Sequence, residues 1–327
     1  MSVSEIDGNQ YFYEFADDEL KIYKAPSREG WLKIRKRYVC STEMAPVCGI
    51  SKYGVTAWSV HMEKRGVLDS GFVASERSEV GQILEHGIAR LAAKRLGVKV
   101  RKVRDFMARG PLGSSFDYEI VSPGHELDGW LLEIKSVDFM IYRDQWIDGN
   151  PPEHITIQTQ TQLEVSRRPG TVIAALVGGN DLKILRVLRD AEMGADLRAV
   201  ADQFWLDVES ENEPELRAED SENVARLHGL SDPSKTLDAR GDYHLGTLAA
   251  QYFARGQQIK ALEEERSLIK AQLLAEVKDS AKLLVDGYTV DLGNTVGSQG
   301  TLITPDMVGT YVGERKGFRR FVVREKK

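Results

Sequence analysis

The sequence predicts an α/β domain between residues 31 and 208. Two observations support this. Stretches with apolar residues at helical spacing alternate with short stretches of strand pattern, which is typical of α/β domains. The chain has 327 residues, 42% of them hydrophobic and 29% charged, which suits two globular domains of ordinary size or one large domain with an appendage.

The elements of this domain follow one another as helix, three strands, helix and two strands. Apolar residues recur near a spacing of 3.6 in the first helix, as on an amphipathic helix. The second and third strands alternate apolar and charged residues, so each has two different faces. The predicted elements are helix 80–97, strands 98–107, 115–121 and 130–137, helix 151–167, and strands 171–177 and 182–187.

Three further regions flank this domain. Residues 1–30 form an N-terminal extension, and residues 209–242, which are acidic and contain Pro214 and Pro233, are predicted as a linker. Residues 243–327 form a C-terminal accessory region. It begins with apolar residues at three-and-four spacing, which fits an amphipathic helix or a short coiled-coil hairpin, and continues as short, Gly-rich strands.

The net charge of −6 does not exclude a nucleic-acid partner. The segment 207–222 alone contains eight acids and one arginine and carries −7, which leaves +1 for the rest of the chain. Basic residues cluster at 33–37, 101–104 and 315–320, and local patches steer a charged ligand more than the total charge does.

Several classes of protein are disfavoured. Cys40 and Cys48 are too few for a disulfide framework, a four-thiolate metal site or an iron–sulfur cluster, so we expect a reducing, cytoplasmic setting. No apolar run is long enough to span a membrane. The six histidines lack zinc-site spacing, and neither a Gly-x-Ser-x-Gly elbow nor a P-loop occurs.

The charged residues inside two predicted strands are the candidate catalytic and metal-binding residues. Glu133 and Lys135 lie on one face of strand 130–137, and Asp117 lies on the preceding strand. If the two strands pair as a hairpin, the carboxylates meet on one surface and could hold Mg²⁺ together with water. Glu85, on the predicted helix 80–97, could supply a further carboxylate.

The same pattern has a simpler interpretation. Glu-x-Lys on a strand is also typical of a solvated face with an ion pair, and so short a motif often occurs by chance. The order of the surrounding elements favours the catalytic interpretation.

Taken together, these segments resemble the YqaJ-type viral recombinase group, relatives of the lambda-type exonuclease within the PD-(D/E)xK nucleases. The resemblance covers residues 31–208 and consists of six pieces in the family's order. The pieces are Trp31-x3-Arg35 with Ser41-Thr42-Glu43 and Gly49-Ile50-Ser51-Lys52-Tyr53, Gly81-x3-Glu85, Ser115-Phe116-Asp117, Glu133-Ile134-Lys135, Gln158 to Val165, and Phe204-Trp205-x2-Val208.

The resemblance implies a restriction-endonuclease-like core, a mixed central sheet flanked by helices, and a set of site residues. Asp117 and Glu133 would bind metal, Glu85 would lie near a second metal, and Lys135 would position the attacking water. Gln158 would contact the scissile region or the attacking water.

Away from the metal, Arg35 and Thr42 would bind a 5′-terminal phosphate, because an arginine guanidinium can donate two parallel hydrogen bonds to a phosphate and a hydroxyl can donate one. The implied cofactor is Mg²⁺, with Mn²⁺ as a substitute.

The resemblance also implies an activity and partners. A phage nuclease of this group digests double-stranded DNA ends 5′ to 3′ for single-strand annealing recombination, in the host cytoplasm, beside an annealing protein and as a homo-oligomer. Two alternatives stay open at this stage. One is a structure- or site-specific endonuclease, and the other is a non-catalytic DNA-end-binding scaffold on the same fold.

Overall fold

The computed structural model describes residues 3–6, 9–13, 19–24, 27–51, 54–69 and 75–292. The chain divides into two compact units, Met1–Leu227 and His228–Lys327. None of the described helices is both long and apolar enough to cross a lipid bilayer.

A five-stranded mixed sheet forms the centre of the first unit. In it β9 and β10 run parallel while the other neighbours pair antiparallel, in the order β11-β10-β9-β8-β5. The strands are β5 (Val100–Lys102), β8 (Tyr118–Ile120), β9 (Leu131–Val137), β10 (Gly170–Val177) and β11 (Asp181–Leu188).

Helices cover both faces of this sheet, because neighbouring residues on its buried strands point to opposite sides. On one face, α4 (Glu76–Leu96) packs against residues such as Leu132. On the other, α6 (Glu153–Ser166) packs in a core that includes Leu131. The predicted α/β class, a mixed central sheet flanked by helices, is therefore confirmed.

A second sheet joins the N-terminal residues to the same unit. Its order is β1-β2-β3-β6-β7-β4, so residues expected as an extension supply three strands, and β3 pairs with β6. The strands are β1 (Val3–Ile6), β2 (Asn9–Tyr13), β3 (Leu20–Lys24), β4 (Val39–Cys40), β6 (Phe106–Arg109) and β7 (Leu112–Ser114). The remaining helices of this part are α1 (Arg28–Arg35), α2 (Ser41–Val47), α3 (Ala57–Lys64), α5 (Phe139–Gln145) and α7 (Ala191–Glu209).

One predicted strand was wrong as a single element. The stretch 98–107 divides into β5 and β6, which belong to different sheets. Val103, between them, still donates its N–H to the carbonyl of Asp117, and the chain then leaves the central sheet. Apolar alternation does not show where such a crossing occurs.

The acidic stretch 209–242, predicted as a linker, contains a helix, α8 (Asp220–His228). Asp220 is buried and accepts a hydrogen bond of 2.5 Å from the Thr56 hydroxyl. Glu213 accepts one from the Trp58 indole N–H at 3.1 Å. These acids have partners more than 150 residues away in the sequence, which a local composition argument cannot detect.

The second unit consists of one long helix and a hairpin. Helix α9 (Tyr243–Val277) is continuous, so the alternative of a helical hairpin is wrong. Strands β12 (Lys282–Val285) and β13 (Tyr288–Asp291) pair around Gly287, whose φ of +80° suits glycine. The predicted Gly-rich turns after residue 292 and the basic cluster at 315–320 lie outside the described residues.

Candidate active site

The pairing of β8 with β9 brings the two strand carboxylates together. Tyr118 lies opposite Leu132, so the next position along each strand places Asp117 beside Glu133. The Asp117 carboxylate also accepts the backbone N–H of Ile134 at 2.8 Å, which fixes it against the neighbouring strand. The hairpin expected from the sequence is therefore present.

The Glu133 carboxylate is buried and accepts hydrogen bonds from three side chains, so the alternative of a solvated strand face is wrong. Its Oε1 accepts hydrogen bonds from Lys135 Nζ at 2.7 Å and from Gln158 Nε2 at 2.8 Å. Its Oε2 accepts one from Gln162 Nε2 at 2.8 Å. Burying a carboxylate is costly unless it is paired, and these three donors offset that cost.

Helix α6 supplies two of those donors. Gln158 and Gln162 are one turn apart and thus on one face of the helix, towards Glu133. The Gln158 carbonyl oxygen also accepts from Lys135 Nζ at 3.1 Å, which closes a ring of three side chains. Sequence analysis missed Gln162, although the Gln158-x3-Gln162 spacing on a predicted helix was a usable signal.

The Asp117 carboxyl group lies where negative charge is in excess. Burial, followed by the charge of Glu133, raises the pKa of Asp117 to about 7, and Glu85 adds to the effect. The Ile134 N–H and Lys135 act in the opposite direction but do not cancel it. The Asp117 carboxyl group therefore keeps its proton to a higher pH than an ordinary aspartate does.

An open cleft of about 230 Å³ adjoins Asp117. Since a water molecule occupies about 30 Å³, the cleft has room for a phosphate group and several waters. Asp117, Lys135 and Ser136 line one side, and Glu85 of α4 lines the cleft as well. Glu85 forms an ion pair with Lys102 of β5.

These residues fit a divalent cation of the hard, oxygen-binding kind. Within the described ranges, no three His, Cys, Asp or Glu side chains converge closely enough to hold a metal ion by themselves. Asp117 and Glu133 could hold Mg²⁺ with water completing the shell, as Mg²⁺ sites commonly do. Burial, followed by the charge of Glu133, raises the pKa of Asp117, and a cation beside it would favour the ionised carboxylate.

Arg35 and Thr42 meet in a separate pocket near α1 and α2. Arg35 Nη2 donates to the Thr42 hydroxyl at 3.2 Å and to Glu43 Oε1 at 3.3 Å. The guanidinium lies 4.7 Å from the centre of the Trp31 ring, and the Trp31 indole N–H donates to the Ser115 hydroxyl at 2.9 Å. Ser115 is two residues from Asp117, so this contact links the pocket to the carboxylate strand.

Two residues behind Arg35 were missed by sequence reasoning. Lys64 is almost fully buried, with only 3% of its side chain exposed, and its Nζ contacts Glu43 Oε2 at 2.7 Å and the Arg35 carbonyl at 2.9 Å. Burial alone would raise the pKa of Glu43, but Lys64 and Arg35 hold it below its ordinary value. Glu43 was part of the resemblance without a role, and no spacing marks Lys64, on α3, as its partner.

The fold thus divides the predicted site residues into two groups. Asp117, Glu133, Lys135 and Gln158 form one cluster, with Glu85 on the same cleft. The other group, Arg35 and Thr42, lies around the Trp31–Ser115 contact.

Comparison with known proteins agrees with the resemblance seen in the sequence. Residues 30–169 match the YqaJ-like viral recombinase domain. No curated protein matches the chain significantly.

Among solved structures, the chain is similar to an alkaline exonuclease, LHK-Exo, from Laribacter hongkongensis, with 18% identity, a TM-score of 0.45, and coverage of 56% of this chain and 93% of that chain. The same enzyme in complex with dAMP aligns at 19% identity with a TM-score of 0.45 and the same coverage. A phage-related exonuclease from Haemophilus somnus 129PT aligns at 13% identity, a TM-score of 0.40, and coverage of 55% and 99%. The match covers less than half of the chain, so it makes residues 30–169 similar to a YqaJ-like viral recombinase domain.

Proposed function

We propose that the chain is a Mg²⁺-dependent deoxyribonuclease that digests double-stranded DNA from its ends, 5′ to 3′, by hydrolysis of phosphodiester bonds. The observation that carries the proposal is the cluster around Glu133. There, two carboxylates on paired strands lie beside a lysine and a glutamine at hydrogen-bond distance, next to an open cleft. A metal-assisted hydrolase needs this combination of hard ligands and a nearby proton-transfer group.

The roles of the residues follow from their positions. Mg²⁺, or Mn²⁺ in its place, would be held by Asp117 and Glu133, with Glu85 near a second ion, and would stabilise charge on the attacking and leaving oxygens. Lys135 lies at the cleft and orients the attacking water through its Nζ. Gln158 bonds both Glu133 and Lys135, so it holds the lysine in place beside the carboxylate.

The pocket of Arg35 and Thr42 would select the DNA end. A guanidinium and a hydroxyl 3.2 Å apart can both donate to one terminal phosphate. Lys64 neutralises Glu43 from behind, so the cluster of Arg35, Glu43 and Lys64 retains one net positive charge for that phosphate. A 5′-phosphate bound there would fix which strand enters the cleft.

The proposed biological setting is phage recombination in the host cytoplasm. A 5′ to 3′ digestion of duplex ends leaves single strands that an annealing protein could pair, and the match to a viral recombinase domain supports this role. We also propose a homo-oligomer, because an enzyme that encircles DNA stays bound through many cycles.

The test uses purified full-length protein with Mg²⁺ and a linear duplex labelled at one 5′ end, beside the same duplex closed into a circle. We expect release of labelled mononucleotides from the linear DNA, an intact circle, and slower digestion of ends that carry a 5′-hydroxyl. Cleavage of the circle would replace the proposal with an endonuclease. Binding of both DNAs without cleavage would replace it with a non-catalytic scaffold.

A further inference from the structure

Glu85 is the acid of the cleft that stands apart from the cluster around Glu133. It lies on α4, which covers the opposite face of the central sheet from α6, and it lines the cleft together with Asp117. Its charge acts on that aspartate, because Glu85 adds to the increase in the pKa of Asp117 that burial and Glu133 cause. Glu85 is therefore placed to hold an ion next to one at Asp117.

A lysine of the same chain already contacts the Glu85 carboxylate. The Nζ of Lys102, on β5, donates a hydrogen bond to Oε1 of Glu85 and forms an ion pair with it. The Lys102 side chain is 39% exposed and that of Glu85 is 25% exposed, so a competing cation can reach the pair from the solvent. Ion pairs this close to water are weak enough for such an exchange.

The neighbouring strand holds Lys102 in this place. In the antiparallel pair of β5 and β8, Lys102 lies opposite Tyr118, the residue after Asp117. Its Nζ lies 5.0 Å from the centre of the Tyr118 ring, a distance at which an ammonium group is attracted to the ring face. The Tyr118 hydroxyl in turn lies 3.4 Å from Nδ1 of His86, the residue after Glu85. The tyrosine thus keeps the ammonium group beside Glu85.

An ammonium group and a divalent cation compete for one carboxylate, because both are attracted to its charge and they repel each other. An ion at Glu85 must therefore displace Lys102 or bind against its positive charge. Asp117 differs, since its Oδ2 accepts a hydrogen bond from an uncharged donor, the backbone N–H of Ile134. The contacts in the cleft therefore favour an ion at Asp117 over an ion at Glu85.

We propose that Lys102 is an internal counter-ion of Glu85, so that one divalent ion binds tightly at Asp117 and a second binds more weakly at Glu85, by displacing the Lys102 ammonium group. The inference rests on the proposed metal site at Asp117 and Glu133. Lys102 is a positioning residue in this account, because it acts through Glu85 and sets how readily the second ion binds.

The experiment measures Mn²⁺ binding to the metal-free, full-length protein at pH 8, with the unbound ion followed by its electron paramagnetic resonance signal. We expect two classes of site with different dissociation constants. Lys102→Met should lower the dissociation constant of the weaker class about fivefold, because the ion no longer has to break the pair with Glu85. The dissociation constant of the tighter class should stay the same.

Three further variants test whether the charge of Lys102 is responsible. Lys102→Arg keeps a cation beside Glu85 and should bind both ions as the original protein does. Lys99→Met, the matched control, removes an exposed lysine just before β5 and should also change neither dissociation constant. Glu85→Gln should remove the weaker class and leave the tighter one, which assigns the weaker class to this carboxylate.

The proposal is overturned if Lys102→Met binds the weaker ion as Lys99→Met does, or if Lys102→Arg changes that binding as much as Lys102→Met. A single ion in both the original protein and Lys102→Met would overturn it as well. A weaker ion that is seen only in Lys102→Met would support it, because the lysine then excludes that ion completely.

Cleavage of linear duplex DNA is recorded separately on the same samples. The expected ion binding without cleavage would refute the proposed nuclease and leave the role of Lys102 intact. Cleavage by the original protein, with unchanged ion binding in Lys102→Met, would refute that role alone. No bound ion in any variant would overturn the role of Lys102 together with the proposed metal site.

Discussion

Replacement of Asp117 by asparagine is expected to stabilise the metal-free protein while it removes an acid from the cleft. Asparagine is nearly isosteric, and its carbonyl oxygen can still accept the Ile134 N–H. It carries no charge, so the cost of burying the charged carboxylate and the repulsion from Glu133 both disappear. The charge of Asp117 would help to hold a cation, but the same charge lowers the stability of the folded protein when no cation is bound.

The magnitude follows from the pKa of Asp117, which rises from an ordinary 3.8 to about 7 in the folded protein. The folded state therefore binds this proton more tightly than the unfolded state does. Stability is lost as pH rises from about 4 to 7 and stays lost above that. A shift of about three units corresponds to about 4 kcal/mol at pH 8, at 1.36 kcal/mol per unit.

The assay is thermal unfolding in EDTA at pH 5 and pH 8. Asp117→Asn should melt at least about 5 °C above the original protein at pH 8, since 1 kcal/mol corresponds to about 2–4 °C for domains of this size. The difference in free energy of unfolding between Asp117→Asn and the original protein should shrink by about 2–3 kcal/mol at pH 5, where Asp117 of the folded protein is already protonated. Asp202→Asn, at an exposed site on α7, is the control and should change little. A variant that is no more stable than the original at pH 8 would refute the reasoning.

Two further predictions concern packing and thiol chemistry. Gly194→Ala should lower the free energy of unfolding in urea by about 1–3 kcal/mol, because the added Cβ would lie 2.6 Å from Oε2 of Glu164, a carboxylate held by three arginines. The control Gly87→Ala has open space around it and should instead raise that free energy by about 0.5–1 kcal/mol. Equal effects of the two substitutions would contradict the close packing at Gly194. Cys40 should resist alkylation at pH 8 while Cys48 reacts, because Cys40 is buried and Cys48 is exposed. Burial, followed by Glu43, also raises the pKa of Cys40 from 9.0 to about 11, which leaves about 100-fold less thiolate than an ordinary cysteine has. Two modified cysteines in the native protein, identified by mass spectrometry, would contradict the burial.

The sequence predicted the central sheet well because its signals are local. Alternating apolar and charged residues in 115–121 and 130–137 mark strands with two faces, and the structure pairs them as expected. Asp117, Glu133 and Lys135 stand out for a related reason, since charge inside an apolar strand is costly unless it is used.

The remaining features depend on contacts between distant parts of the chain. Lys64 is buried against Glu43, 21 positions before it, and no periodicity connects them. Asp220 belongs to a stretch whose composition indicates a linker, yet it is buried against Thr56. Burial is a property of the packed structure, so these partners could not be identified from local pattern alone.

The most direct test of the proposed chemistry is the single-turnover rate of DNA cleavage by Lys135→Ala, measured with enzyme in excess over a 5′-phosphorylated linear duplex and Mg²⁺. The matched control is Lys183→Ala, which removes a lysine that pairs with Asp181 on β11 at 2.8 Å. We predict that Lys135→Ala keeps its fold, seen by circular dichroism, and its DNA affinity, while cleavage falls at least about 100-fold, the usual effect of losing a proton-transfer group. Cleavage by Lys135→Ala at the rate of the Lys183→Ala control would contradict the catalytic role proposed for the cluster around Glu133.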